Sequence, residues 1–238
     1  MDKNKKFKLF LGLLLAIFAI GYGSVIVVVF LPVSLEFKLS YALIAIVVVF
    51  IVSVLLRPKV YILSIASHFS KMKENQNPMI HTAFDIASES FEKHLYHKGY
   101  QSFGIFDNVS SFYQISYGED IIRKRGILEI INVIKDDDLG FHDGIITSLV
   151  HDIESHIASQ KKKYLHYLII NLKKTSHLSN EQIDQADEVV FEKHRNHHVA
   201  IINGFLDTTN QKLYALANDH HMPSVVYQLG VDRIKEIL

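Results

Sequence analysis

Two uninterrupted apolar runs near the start of the chain constrain its fold more than any other feature of its 238 residues. No charged residue occurs from Leu9 to Leu35, and none from Leu39 to Leu56. As helices rising about 1.5 Å per residue, the first run exceeds the ~30 Å hydrocarbon core of a bilayer and the second is near the minimum that crosses it. The break between them, Pro32 to Lys38, is so short that the chain must turn straight back. The expectation is a transmembrane helical hairpin over residues 9–56, with spans at about 9–31 and 39–56.

Basic flanks set the orientation, because Lys and Arg resist translocation while acidic residues count little. Lys3, Lys5, Lys6 and Lys8 precede the first run, Arg57 and Lys59 follow the second, and the intervening loop carries only Lys38. The expected location is the plasma membrane, multi-pass, with both termini cytoplasmic and residues 33–38 outside. A cleaved leader is the other reading of the basic start, but the apolar run is longer than a signal core and a second apolar segment follows closely. No Asp, Glu, Lys, Arg or His lies inside either run, so neither offers a group for ion conduction or proton relay.

The formal net charge of zero hides two unlike parts. Residues 1–73 hold nine basic and two acidic side chains, +7, which leaves −7 for the remainder. An acidic domain repels phosphate backbones, so nucleic acid is excluded as a partner. The absence of cysteine excludes disulfides, thiolate metal sites and thiol nucleophiles.

Residues 1–8 form a basic cytoplasmic start, and residues 57–78 a juxtamembrane segment and linker ending in the polar Glu74 to Pro78. Residues 79–238 are the expected cytoplasmic domain, of α+β class. Its pattern predicts a helix at 80–97 ended by Gly99, then strands at 100–106, 111–117 and 126–134 as an antiparallel meander. A long helix follows at 143–162, with Ile146, Leu149, Val150, Ile153 and Ile157 inward and Lys161 to Lys163 as a basic last turn. Tyr164 to Leu172 reads as a buried strand, and Ser179 with Gln182 as a capping box opening a helix. Strands at 198–206 and 211–217 around an Asp207 to Asn210 turn come next, then a short strand at 224–228 and a terminal helix from about 231. No internal repeat is evident at this stage.

Fourteen histidines are the one oddity of composition, thirteen of them after residue 73. His194 and His198 would share a face on a helix, the spacing of a zinc pair, but no third ligand can be named and solvated surface histidines are the preferred reading. Protonation of all thirteen would move the domain from −7 to +6, which makes pH sensing at an anionic lipid surface a second use. Asp136, Asp137 and Asp138 with His142 and Asp143 could face a hard cation, but acids near a helix start are the commoner cause of such a cluster. His142, Asp143, His151 and Asp152 are the candidates for hydrolytic chemistry. No cofactor motif occurs: the chain has no Gly-rich phosphate loop and no Gly-x-Ser-x-Gly elbow.

The order helix, three strands, helix, strand suggests a restriction-nuclease-like core. That family needs an acidic residue and then Glu/Asp-x-Lys on the next strand, whereas Leu128-Glu129-Ile130-Ile131 has a hydrophobe in place of the lysine. A catalytically silent version of the core is the expectation. Val133 to Phe141, the helix with His151 to Glu154, and Tyr164 to Leu172 resemble the cytoplasmic domain that precedes the membrane core in some Gram-positive rhomboid proteases, over about residues 80–190. The rhomboid catalytic core has six spans and a Gly-x-Ser-Gly, neither of which this sequence contains, so the resemblance implies an accessory domain and no protease activity.

The function expected from these features is a double-spanning protein whose cytoplasmic domain binds other proteins, in a scaffolding or regulatory role in a bacterial envelope. Its partners are then other proteins and the lipid bilayer, with self-association open. Two alternatives stand beside it: a membrane-tethered hydrolase or metal-dependent enzyme using the His and Asp residues above, and a structural subunit of a larger membrane complex that docks through the hairpin.

Overall fold

The structure is a computed structural model that describes residues 3–74, 79–106, 108–118, 123–136, 138–188, 191–194, 197–218 and 220–238. The chain divides into two compact units, residues 1–74 and 75–238.

The first unit is a pair of helices, α1 (Lys3–Phe30) and α2 (Leu35–Glu74). They approach closely at Gly21, where a β-carbon would lie 2.4 Å from Cγ2 of Val49. Lys38 Nζ donates to the Val29 carbonyl at 2.7 Å, satisfying one of the acceptors left open at the end of α1. α2 does not stop at Arg57: it runs on through Pro58 for 40 residues in all, about 60 Å, twice the depth of a hydrocarbon core. Residues 57–74 of the expected juxtamembrane segment are therefore helix, continuous with the second apolar run. Both helices are long and apolar enough to cross a membrane, and their apolar side chains face outward, Ile20, Phe30 and Leu55 among them.

The second unit is a mixed sheet with helices on both faces. Its strands are β1 (Ile80–His81), β2 (Gln101–Phe106), β3 (Val109–Ser116), β4 (Ile127–Ile134), β5 (His166–Thr175), β6 (Phe191–His194), β7 (His197–Asp207) and β8 (Lys212–Ala215). The sheet order is β1-β8-β7-β5-β4-β3-β2, with β6 also on β7. β2, β3 and β4 form the expected antiparallel meander. β5 and β7 then join parallel through the crossover helices α4 (Gly144–Ser159) and α5 (Asn180–Ala186). Parallel strands buried on both faces explain why Ile127 to Ile134 is buried at every position.

On one face, Leu128, Ile130 and Ile169 pack with Ile153 and Ile157 of α4, and Ile134 and Phe205 pack with Ile146, Leu149 and Ala186 of α4 and α5. The other face carries α3 (Glu89–His97), whose Tyr96 ring stands edge-on to Phe112, and α6 (Val225–Ile237), whose Gly230 lies against Leu168 and Ile202.

Several element boundaries differ from the sequence reading for identifiable reasons. The helix expected over 80–97 begins only at Glu89, because Thr82 and Asp85 bond their own neighbouring backbone and Ser88 caps at Phe91. Residues 80–81 pair with β8 instead. α4 ends at Ser159 and Lys161 has a positive φ of 56°, so Lys161 to Lys163 follow the helix rather than forming its last turn. No strand forms at 224–228: Ser224 caps at Tyr227, and Val226, Tyr227, Val231 and Ile234 make one buried helical stripe. The capping box at Ser179 and Gln182 is present as expected.

Gly126 joins the short 3-10 turn at Arg123–Arg125 to β4 with φ +79°, where a β-carbon would meet the Lys163 carbonyl oxygen at 3.0 Å. Gly126→Ala is expected to cost about 1–3 kcal/mol, by left-handed strain and backbone crowding. Gly140→Ala, with nothing within 4 Å, is expected to cost little. Urea unfolding of the full chain in detergent, followed by circular dichroism, measures both.

Candidate functional site

Asn132, Asn171 and Asn203 stand side by side on β4, β5 and β7, in register, and all three are buried. Each is preceded by two isoleucines: Ile130-Ile131-Asn132, Ile169-Ile170-Asn171 and Ile201-Ile202-Asn203. The recurrence is visible in the sequence and was missed, because a tripeptide is too short to stand out as a repeat until the strands are stacked at zero offset. Ser111 of β3 extends the row, pairing with Asn132.

The side chains form one directed chain. Ser111 Oγ donates to Asn132 Oδ1 at 2.7 Å, Asn132 Nδ2 to Asn171 Oδ1 at 2.9 Å, and Asn171 Nδ2 to Asn203 Oδ1 at 3.0 Å. Asn203 Nδ2 donates to the Glu188 carbonyl at 3.2 Å, just past α5. A backbone carbonyl can only accept, so this last contact fixes the orientation of Asn203 and, in turn, of every amide behind it. The row separates two apolar clusters under α4 and α5. With each amide bonded on both sides, it specifies register and offers no group for chemistry.

On the opposite face of the sheet, Glu129 is fully buried. Arg233 of α6 binds it in bidentate fashion, Nε to Oε2 at 3.0 Å and Nη2 to Oε1 at 3.1 Å. Tyr100 Oη and Gln114 Nε2 each donate to Oε2 at 2.7 Å. Burial pushes the carboxyl upward, but the Arg233 guanidinium and the donated hydrogen bonds outweigh it and hold Glu129 below its ordinary value of 4.5. The cross-strand neighbour of Glu129 on β3 is Gln114, an amide. Four donors thus engage this one buried carboxylate.

The histidine and aspartate candidates do not converge. Asp143 is the N-cap of α4, accepting from Ile145 N at 2.9 Å, and His142 beside it faces Glu188 at 3.7 Å on the surface. His151 and Asp152 are exposed two turns further along α4, roughly 13 Å from the cap, with His151 3.6 Å from Glu154. Asp136 turns back to accept from Asp138 N at 2.9 Å, and Asp137 lies outside the described residues. His194 and His198 do not share a helix: they lie on antiparallel β6 and β7, where His194 pairs with His197 and His198 with Lys193. Among the described residues, no three His, Asp or Glu side chains gather into a metal-binding group.

The exposed feature of this unit that invites recognition is its free edge. Among the described residues, β2 pairs with β3 alone and ends the sheet. Its sequence Gln-Ser-Phe-Gly-Ile-Phe has no charge and no proline, and Ile105 and Phe106 are 66% and 47% exposed on opposite faces. The other end of the sheet is the two-residue β1. A bulge between Ser102 and Gly104 and a ring contact between Phe103 and Phe106 at 6.1 Å shape the free strand. No family model, no curated protein and no solved structure matches the chain.

Asn171→Ala strands both the Asn132 donor and the Asn203 acceptor, so its expected cost is about 2–5 kcal/mol, against about 1–2 for Ser111→Ala at the end of the row. Asn132, Asn171 and Asn203 all changed to Val are expected to cost less together than the sum of the three single changes, measured by the same urea midpoints. Arg233→Met leaves a buried carboxylate unpaired and should cost about 3–5 kcal/mol at neutral pH. Because the native Glu129 value lies below 4.5, its stabilisation is complete above that pH and fades as pH falls through the native value. The gap between wild type and Arg233→Met should therefore close in acid.

Proposed function

We propose that this chain is a membrane-anchored binding protein. α1 and α2 cross the bilayer as a hairpin with both termini cytoplasmic, and the mixed-sheet unit recognises an extended segment of another protein along β2. The observation that carries this reading is the edge of β2, uncharged and unpaired among the described residues, since edge strands of soluble domains are ordinarily blunted by Lys, Pro, shortness or bulges and β2 carries only the bulge at Ser102–Gly104. An extended segment added there would bond through its backbone and place alternate side chains against Ile105 and Phe106. The saturation of Glu129 and of the asparagine row supports a binder over a hydrolase, because the polar groups of the sheet interior are spent on one another.

A silent restriction-nuclease-like core fits the same reading. The meander β2-β3-β4 followed by α4 and parallel β5 has the order of that core, with Arg233 supplying from α6 the cation that the strand itself lacks. An accessory domain like the one preceding Gram-positive rhomboid cores would likewise bind rather than cleave.

A photocrosslinking residue placed at Phe106 in intact cells should yield a discrete protein adduct, lost in an Ile105→Asp background. The same probe at exposed Glu181 on α5 should yield none. Equal adducts at both positions, or none at Phe106, would defeat the β2 assignment. A reporter fused at the carboxyl end should read as cytoplasmic, and an external reading would defeat the orientation.

A further inference from the structure

β5 and β7 first pair at Tyr167 with Val199, so His198 lies one residue ahead of the ladder. Its backbone N–H is nonetheless satisfied, donating to Nδ1 of the His166 side chain at 3.2 Å. The imidazole therefore does what the next strand carbonyl would otherwise do. His166 is buried, 4% exposed, and its ring stands at 76° to that of His198 with centroids 5.3 Å apart. A ring nitrogen that accepts from an amide carries no proton, so His166 is the neutral imidazole with its hydrogen on Nε2.

We propose that His166 is an acid-sensitive latch whose protonation at Nδ1 sets two donors face to face and releases the start of β7, with the β6–β7 hairpin, from β5. The surroundings of the ring make the charged form costly. β4 sets Ile127 beside it in register, and the ionisable groups acting on it are Arg125 of the 3-10 turn and His197 and His198 of β7. β6 pairs with β7 at these positions, Lys193 with His198 and His194 with His197. Burial first, then His198, Arg125 and His197, hold His166 below its ordinary value of 6.5. For a histidine held down in this way, the stabilisation is complete above about 6.5 and is lost as pH falls from there through the native value. The latch is closed at neutral pH and loosens progressively as pH falls below about 6.5.

Hydrogen exchange of the full chain in nanodiscs at pH 7.5 and 5.5, corrected for intrinsic rates, tests it. Wild-type amides at residues 197–200 should lose about tenfold in protection at the lower pH, while those at 170–173 of β5 hold theirs. His166→Asn puts a non-titrating acceptor in place of Nδ1 and should make the protection of 197–200 independent of pH. Unchanged protection in wild type, an equal loss in His166→Asn, or a simultaneous loss in β5 would overturn the latch. Should the variant not fold, nitrogen NMR of the wild-type imidazole decides: Nδ1 must be unprotonated at pH 7.5 and must titrate where the loss of protection levels off, and another tautomer, or a titration above the pH at which protection begins to fall, overturns it.

Discussion

The organisation of the sheet depends on a row of four buried side chains, Ser111, Asn132, Asn171 and Asn203, joined hydroxyl to amide to amide to amide across β3, β4, β5 and β7. The middles of β4, β5 and β7, built largely of Ile, Leu and Val and buried, have little in their apolar side chains to forbid a slip in register, because one isoleucine packs much like another. The asparagines supply the penalty. A slip of two residues would keep every side chain on its face yet set amides against isoleucines, leaving unbonded polar groups in a dry interior. Apolar burial drives these strands together, and the amide row selects which of several comparable pairings is kept.

A second polar device ties the outer layer to the sheet. Glu129 sits on the interior strand β4, and the guanidinium that neutralises it comes from α6, more than a hundred residues later in the chain. Tyr100, between α3 and β2, and Gln114 of β3 complete its shell, so a single carboxylate connects four parts of the domain. Such a buried pair contributes little net stability compared with a well-packed apolar substitute, but it strongly disfavours any docking of α6 that leaves the charge unpaired. Both devices act through specificity more than through affinity, and both are closed to outside ligands. Among the described residues, β2 ends the sheet with its outer edge unpaired.

Much of this is legible in the sequence. The hairpin follows from two uncharged runs, the meander from apolar segments broken by turns, and α4 and α5 from helical periodicity and a capping box at Ser179 and Gln182. What was illegible shares one cause, namely that the deciding partner lies far away in sequence. Residues 80–81 are a strand because β8 is beside them, and β6 is a strand because β7 folds back on it. Val225 to Tyr227 have strand-forming side chains and are helical because one face meets the sheet at Leu168 and Ile202. The histidine and aspartate candidates were chosen for proximity along the chain, which the surface of α4 keeps well apart. The buried polar groups of the sheet were invisible because a lone Asn after two isoleucines carries no sign of what it will face.

By itself, the sequence determined the division into an apolar basic part and an acidic folded part, the placement of the two long helices, and most of the elements of the domain. These depend on composition and on periodicities of two and 3.6 residues, which are local properties. Only the tertiary structure decided which strands lie side by side, that three Ile-Ile-Asn segments coincide, that Glu129 is spent on Arg233, and that His166 serves as an acceptor for the backbone of β7. Those outcomes are pairings between residues distant in the chain, and pairing energies exist only once the partners have been brought into contact.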